Sequence, residues 1–315
     1  MITKESTYEK AFAIKRQNLA KKQNDYNMML NAAYASNKRL ADIDNELASV
    51  GASLAITALS GDTAALKEKQ EFSKALNAEK QMILKKCKVK EITYDCPLCC
   101  DTGYIGGKVC ECVKSLANSI LATDLSALMP LEECTFENFD LNYYFDTDSA
   151  KRRMTAILKL SKEYVLNFNP QTSQNLLFMG APGLGKTHLT LAIVSGVIKK
   201  GYMPIYGPAE MLFSAVEKEK FQNENTGEYE QLQNCDLLVI DDLGTELVTA
   251  FTKSVLYNLI NTRILLHKPT IINTNLSLKE IEEIYSPRIT SRLIGNYNAN
   301  KFLGKDIRQQ KILGK

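Results

Sequence analysis

The sequence predicts an α/β fold: a parallel sheet covered by helices on both sides, preceded by a helical region and a small cysteine-rich module. Three observations carry this reading. From Asn175 onward, short apolar runs alternate with helical stretches. A glycine-rich turn joins one such strand to a helix between Met179 and Thr187. Five of the eight cysteines crowd into the stretch from Cys96 to Cys112.

The chain's 315 residues leave room for one large domain and something smaller. The divisions expected are 1–92, helical and coiled-coil-like; 93–130, a metal-binding module with its linker; and 131–315, the α/β domain. Hydrophobic residues at 45% and charged residues at 24% are ordinary for a globular protein. A net charge of +3 permits a nucleic acid partner without arguing for one. The first residues, MITKESTYEKAFAIKRQNLAKKQ, lack the apolar core of a signal peptide. Leu47 to Ser60 is too short to span a bilayer. A cytoplasmic protein with no membrane partner is expected, and its cysteines read as thiols or metal ligands rather than disulfides.

Between about Tyr8 and Lys90 there is no proline, and apolar residues recur at roughly helical intervals in Ala11, Ile14 and Leu19, and again in Met82 and Ile83 near the end. Long amphipathic helices follow from this, with breaks expected near Gly51 and at Gly61-Asp62. Lys and Glu are mixed throughout. The region therefore reads either as a solvated helical face or as a docking surface for another protein's helices.

In the cysteine module, Cys96-Pro-Leu-Cys99 and Cys110-Glu-Cys112 form two close pairs joined by a glycine-containing turn. Zn²⁺ prefers four thiolates in a tetrahedron, and a C-x-x-C turn supplies two of them. Cys96, Cys99, Cys110 and Cys112 are the ligands expected, with Cys100 able to replace Cys99. Free thiols are the alternative. A redox site is disfavoured because only Lys108 offers an activating cation. Cys87, Cys134 and Cys235 read as isolated thiols, Cys235 in the core. The aromatic run Phe136, Phe139, Tyr143, Tyr144 and Phe145 follows. A helix is then expected from Ser149 to about Phe168.

Asn175 to Met179 reads as a buried strand. It flows into Gly180-Ala-Pro182-Gly183-Leu-Gly185-Lys186-Thr187, the G-x-x-x-x-G-K-[ST] pattern of a phosphate-binding loop. Its glycines let backbone N–H groups turn around phosphates, and the following helix points its positive end at them. Lys186 can reach the β- and γ-phosphates of ATP, and the Thr187 hydroxyl can ligate Mg²⁺. Gly180, Pro182, Gly183, Gly185, Lys186 and Thr187 make the nucleotide-contacting set. His188 stands beside them as a helix residue with no assigned chemical role.

Leu237-Leu-Val-Ile240 ends in Asp241-Asp242, a strand presenting acids at the sheet edge where ligands of open α/β sheets bind. Asp241 is the expected second Mg²⁺ partner, and Asp242 is placed to orient the attacking water. Thr270 to Thr274 reads as a further strand, after which Asn275 would lie beside the γ-phosphate if this strand neighbours the first. Ser277 and Glu280 read as a capping box. Arg288 and Arg292, four apart on one helical face, suit an anion or a surface salt bridge.

With GAPGLGKTHL, LLVIDDLG, IINTNLS, PRITSRL and GKDIRQQK in series, the chain from about Pro130 to Lys315 resembles the AAA+ ATPases. Within them it is most similar to the bacterial DnaC/DnaI-type helicase loaders and their relative IstB. The resemblance implies a five-stranded parallel sheet in the order 5-1-4-3-2. It maps a sensor onto Asn275 and an arginine finger, acting on a neighbouring subunit's ATP, onto Arg292 with Arg288 as second choice. Self-association through the ATP site follows, as does a comparable zinc module ahead of the ATPase domain. Many AAA+ members carry Asp-Glu where this chain has Asp241-Asp242, which suggests slow, switch-like hydrolysis. The chain stops soon after Lys311, so no helical lid is expected, and Arg308 is the one candidate for a second sensor. The function implied is ATP-dependent loading of a DnaB-type hexameric replicative helicase onto single-stranded DNA. An IstB-like transposition accessory ATPase and a nucleotide-gated adaptor for another partner are the alternatives.

Overall fold

The structure, a computed structural model, describes residues 4–60, 62–128, 130–144, 147–222 and 227–312. Phe145 falls outside them, as does Gly61. The chain divides into two compact units, one spanning Phe12–Cys112 and the other built from the residues up to Ala11 and from Val113 onward.

The unit Phe12–Cys112 contains most of helix α1 (Lys4–Ser36), then α2 (Arg39–Ser60) and α3 (Thr63–Lys86). Ala33, Leu40 and Leu84, one from each helix, meet in a small buried cluster. Charged residues fasten its rim. Arg39 reaches Glu46 at 2.5 Å and the two carboxylate oxygens of Glu79 at 2.9 and 3.0 Å. The break expected near Gly51 does not occur: α2 runs straight through it. One helical glycine costs only about 1 kcal/mol relative to alanine, and packing of α2 along α3 outweighs that. The chain turns instead between α1 and α2, where the Asn37 side chain accepts from the backbone N–H of Arg39. The second break lies where expected, with Asp62 capping α3 through the N–H groups of Ala64 and Ala65. After α3 the chain forms a short antiparallel hairpin, β1 (Tyr104–Ile105) and β2 (Lys108–Val109), which brings the cysteines together.

From Val113 onward the other unit runs through α4 (Glu111–Leu128) and α5 (Asp148–Leu166) into alternating strands and helices. These are β3 (Asn175–Met179), α6 (Lys186–Lys199), β4 (Pro204–Pro208), α7 (Ala209–Gln222), α8 (Glu228–Asn234) and β5 (Leu237–Leu243). They are followed by α9 (Ala250–Leu265), β6 (Thr270–Thr274), α10 (Leu278–Ile284), α11 (Pro287–Asn296), β7 (Tyr297–Lys301) and α12 (Ile307–Ile312). Helix α5 starts at Asp148 because the Thr147 hydroxyl accepts from the N–H of Ala150 at 3.0 Å.

All strand pairings in this unit are parallel, in the order β4-β5-β6-β3-β7. Counted from β3, that is the expected order 5-1-4-3-2. Leu177 joins Leu238, Ile240 and Ile272 in the core covered by α7, α9 and α11. Because side chains alternate along a strand, Leu176 and Phe178 face the opposite side, where Phe178 meets Phe302 edge-on. Strands apolar on both faces need helices on both faces, and each fully buried Leu, Ile or Phe contributes about 1.5–3 kcal/mol. The central strands are therefore a stiff platform, and their C-terminal ends carry the polar residues. No helix among the described residues is long and apolar enough to cross a membrane.

Candidate nucleotide site

The turn after β3 wraps Gly180 to Gly185 into the N-terminus of α6. Gly183 and Gly185 have φ of 76° and 86°, a left-handed backbone that disfavours any side chain. A β-carbon on Gly185 would also lie 2.8 Å from the Phe139 ring. The Tyr144 hydroxyl donates to Leu184 O at 2.8 Å and pins the loop from outside. Phe139, Tyr143 and Tyr144 from the aromatic run thus form one wall of a cavity of about 470 Å³ over the loop.

Lys186 is buried inside it. Its Nζ donates to Gly180 O at 2.6 Å, Ala181 O at 2.9 Å and Asn275 Oδ1 at 2.7 Å. Burial lowers its pKa, while Asp242 and Asp241 act in the opposite direction. Asn275 reaches it because β6 pairs directly with β3. The Thr187 hydroxyl lies 3.4 Å from Asp241 Oδ1. Asp242 follows in the left-handed region at φ 51°, beside an irregularity in the β5–β6 register, and its N–H donates to Asp241 Oδ1 at 2.9 Å. Burial and the neighbouring Asp241 push the Asp242 carboxyl above its ordinary range. A lysine, a hydroxyl, two carboxylates and an amide therefore converge at one sheet edge. That set can hold a polyphosphate with its divalent cation and place a water against it.

The remaining sequence-predicted residues divide between the cavity wall and the exposed surface. His188 is at the cavity wall, its Nε2 2.7 Å from Thr135 O and its ring edge-on to Phe139. Arg308 also lines the cavity. Arg288 and Arg292 do not: both are exposed on α11, whose Ile289 and Leu293 point into the core. Cys134, read as an isolated thiol, is part of the cavity wall, and burial followed by Glu133 pushes its thiol up.

Sequence reasoning missed three contributors. Asn273 and Tyr206 both hold Asp241, and Asp306 lies against Gly183. Asn273 and Asp306 lie within IINTNLS and GKDIRQQK but had no role assigned there, and Tyr206 belongs to no motif; the alternation of β6 could have pointed to Asn273, a lone amide within an apolar strand.

In the other unit, the sulfurs of Cys96, Cys99, Cys110 and Cys112 all lie within 4.8 Å of one another. Cys96 and Cys110 are separated by 3.8 Å, and Cys99 and Cys112 by 3.6 Å. A Zn–S bond of about 2.3 Å in a tetrahedron sets sulfurs about 3.8 Å apart, so the four thiols fit that ion. Cys100 is exposed and outside the cluster, its sulfur 3.8 Å from Pro97 O. The buried Asp101 carboxylate accepts from the N–H groups of Asp95 and Cys96 and from Lys22, at 2.8, 2.9 and 2.9 Å.

A family model described as IstB-like ATP binding protein matches residues 118–294, more than half of the chain. The chain belongs to that family. It is an ATPase. Replicative helicase loader DnaC of Escherichia coli strain K12 is 29% identical to it over 176 residues, covering 54% of this chain and 68% of that one. Phage-like element PBSX protein XkdC of Bacillus subtilis strain 168 is 25% identical over 210 residues, covering 62% and 78%. A crystal structure of the DnaC helicase loader aligns with a TM-score of 0.46 at 26% identity, over 53% of this chain and 97% of that one. The family match takes in the phosphate loop, Asp241, Asp242 and Asn275 of this ATPase, and it ends after both Arg288 and Arg292.

Proposed function

We propose that this ATPase binds a DnaB-type hexameric replicative helicase and delivers it to single-stranded DNA, acting in the cytoplasm. The observation that supports the ATP half most directly is the meeting of Lys186, Thr187, Asp242 and Asn275 at one cavity, with the buried Asp241 directly behind Thr187. The loader half rests on the relatives named helicase loader.

In this reading, backbone N–H groups of Gly183 and Gly185 and the start of α6 receive the phosphates of ATP. Lys186 exchanges loop carbonyls for β- and γ-phosphate oxygens, and Asn275 stays beside the γ-phosphate. Thr187 and Asp241 hold Mg²⁺, which when bound neutralises phosphate charge. Asp242 orients the attacking water. Its raised pKa suits a group that shares a proton with that water, and its short side chain and left-handed backbone suit slow hydrolysis. Arg292, or Arg288 in its place, reaches the ATP of a second copy, since both are exposed and outside their own cavity. Cys96, Cys99, Cys110 and Cys112 hold a structural Zn²⁺.

The family model supports a second reading, an IstB-like transposition accessory ATPase. Size-exclusion chromatography with light scattering separates the two. The protein is mixed with its host's DnaB-type helicase, with and without ATP and Mg²⁺, beside Lys186→Ala. A nucleotide-dependent complex lost in Lys186→Ala supports the loader. No complex under any nucleotide condition sinks it, and stimulation of hydrolysis by duplex DNA with a transposase would favour the second reading.

A further inference from the structure

Asp241 is held by groups from three strands. On Oδ1 it accepts from Asn273 Nδ2 at 2.7 Å and from the backbone N–H of Asp242 at 2.9 Å. Asn273 is itself fixed, since its Oδ1 accepts from the Thr190 hydroxyl of α6 at 3.0 Å and both residues are fully buried. Oδ2 accepts from the hydroxyl of Tyr206, which reaches across from β4. The register places Tyr206 opposite Val239 and Pro208 opposite Asp241, so the phenol leans along β4 toward the sheet edge.

A carboxylate gripped on one oxygen can pivot about that contact. Gripped on both, it has a fixed plane. The buried amide from β6 and the phenol from β4 approach Asp241 from its two flanking strands, β5 lying between them. Of the two side chains from the flanking strands, Tyr206 lines the nucleotide cavity and Asn273 does not. A carboxylate only accepts, so the phenol hydroxyl of Tyr206 is the donor in this contact.

We propose that Tyr206 is a positioning residue for Mg²⁺ binding: its hydroxyl fixes the plane of the Asp241 carboxylate relative to Thr187. This rests on the reading of Asp241 as a Mg²⁺ partner. Groups that orient a metal-binding carboxylate characteristically contribute about 10- to 100-fold to metal affinity. Tyr206→Phe removes one oxygen and keeps the ring, so the fold of a half-buried edge-strand position is retained.

The test is a Mg²⁺ titration of the binding of a fluorescent, non-hydrolysable ATP analogue to the full chain. Tyr206→Phe is expected to raise the Mg²⁺ concentration at half-effect about tenfold. Losing a donor to the buried Asp241 also lowers the melting temperature, but circular dichroism still shows the parent's fold, and excess Mg²⁺ restores the parent's hydrolysis rate. In an Asp241→Asn background the same change produces no further shift. An unchanged Mg²⁺ midpoint, or an equal shift in the Asp241→Asn background, overturns the proposal. A parent protein whose nucleotide binding ignores Mg²⁺ would instead overturn the assignment of Asp241 itself, and Tyr206 with it.

Discussion

Asp306 rests its carboxylate against the α-carbon of Gly183, so closely that a β-carbon there would stand 2.0 Å from Oδ1. The contact is fastened from both sides. Arg308 N–H donates to Asp306 Oδ1 at 2.8 Å, and Ile307 N–H donates to Gly183 O at 3.0 Å. The segment before α12 therefore closes over the middle of the phosphate loop. Gly183→Ala meets two obstacles: this overlap and the left-handed φ of 76°, which costs a side-chain-bearing residue about 1–2 kcal/mol. The expected outcome is loss of nucleotide binding by at least about tenfold, measured by fluorescent-nucleotide titration. Adding Asp306→Gly relieves the overlap but not the backbone strain, so recovery is expected to be partial. Full recovery would mean that the backbone conformation costs nothing.

Tyr285, at the end of α10, donates its hydroxyl to Glu246 Oε1, and Gly244 N–H donates to Glu246 Oε2 at 2.8 Å. Glu246 and Tyr285 are both buried. They tie the loop after Asp242 to the residues that open α11. Tyr285→Phe leaves a buried carboxylate with one fewer donor and should lower stability by about 1–3 kcal/mol. Denaturant unfolding monitored by circular dichroism measures it. A loss well under this range would show that water replaces the phenol.

The phosphate loop was legible because its residues are adjacent in sequence and their order is dictated by one ligand. Asn275 was expected there only if its strand neighbours β3, a condition the resemblance supplied and the β3–β6 pairing meets. Tyr206 and Asn273 were not legible, because they meet Asp241 across separations of 35 and 32 residues and belong to apolar strands without a spacing rule. The choice between Cys99 and Cys100 depended on left-handed backbone at Cys100 and Asp101, φ 48° and 59°, which turns the Cys100 thiol outward. Gly51 misled for the opposite reason: a weak local preference was overridden by packing along α3. The sheet order, by contrast, came from the resemblance and not from periodicity.

The cysteine geometry gives a stoichiometry. One Zn²⁺ per chain is expected on release by a mercurial and detection with a chromogenic chelator. Cys110→Ser, which removes a buried ligand, should reduce it to near zero, whereas Cys100→Ser should leave it unchanged. Equal loss in both variants would mean that Cys100 exchanges with Cys99.

Asp44 of α2 supplies a pH dependence whose sign can be worked out. It accepts from Lys80 Nζ and from the Tyr34 hydroxyl, both at 2.5 Å, joining α1, α2 and α3. The hydrogen bond from Lys80, and next that from Tyr34, hold its carboxyl below the ordinary range. A carboxyl depressed in the folded state stabilises fully above its unfolded pKa of about 3.9 and loses that stabilisation as pH falls through the folded value. The Asp44 side chain is 40% exposed, so solvent screening limits the contribution to about 1 kcal/mol. The parent should therefore exceed Asp44→Asn in unfolding free energy at pH 6, and the gap should close progressively below about pH 4. Parallel urea titrations of the two proteins between these limits read the gap directly. A gap that persists undiminished at the acid end would show that the contact holds through its neutral hydrogen bond to Tyr34 and not through the charge on Asp44.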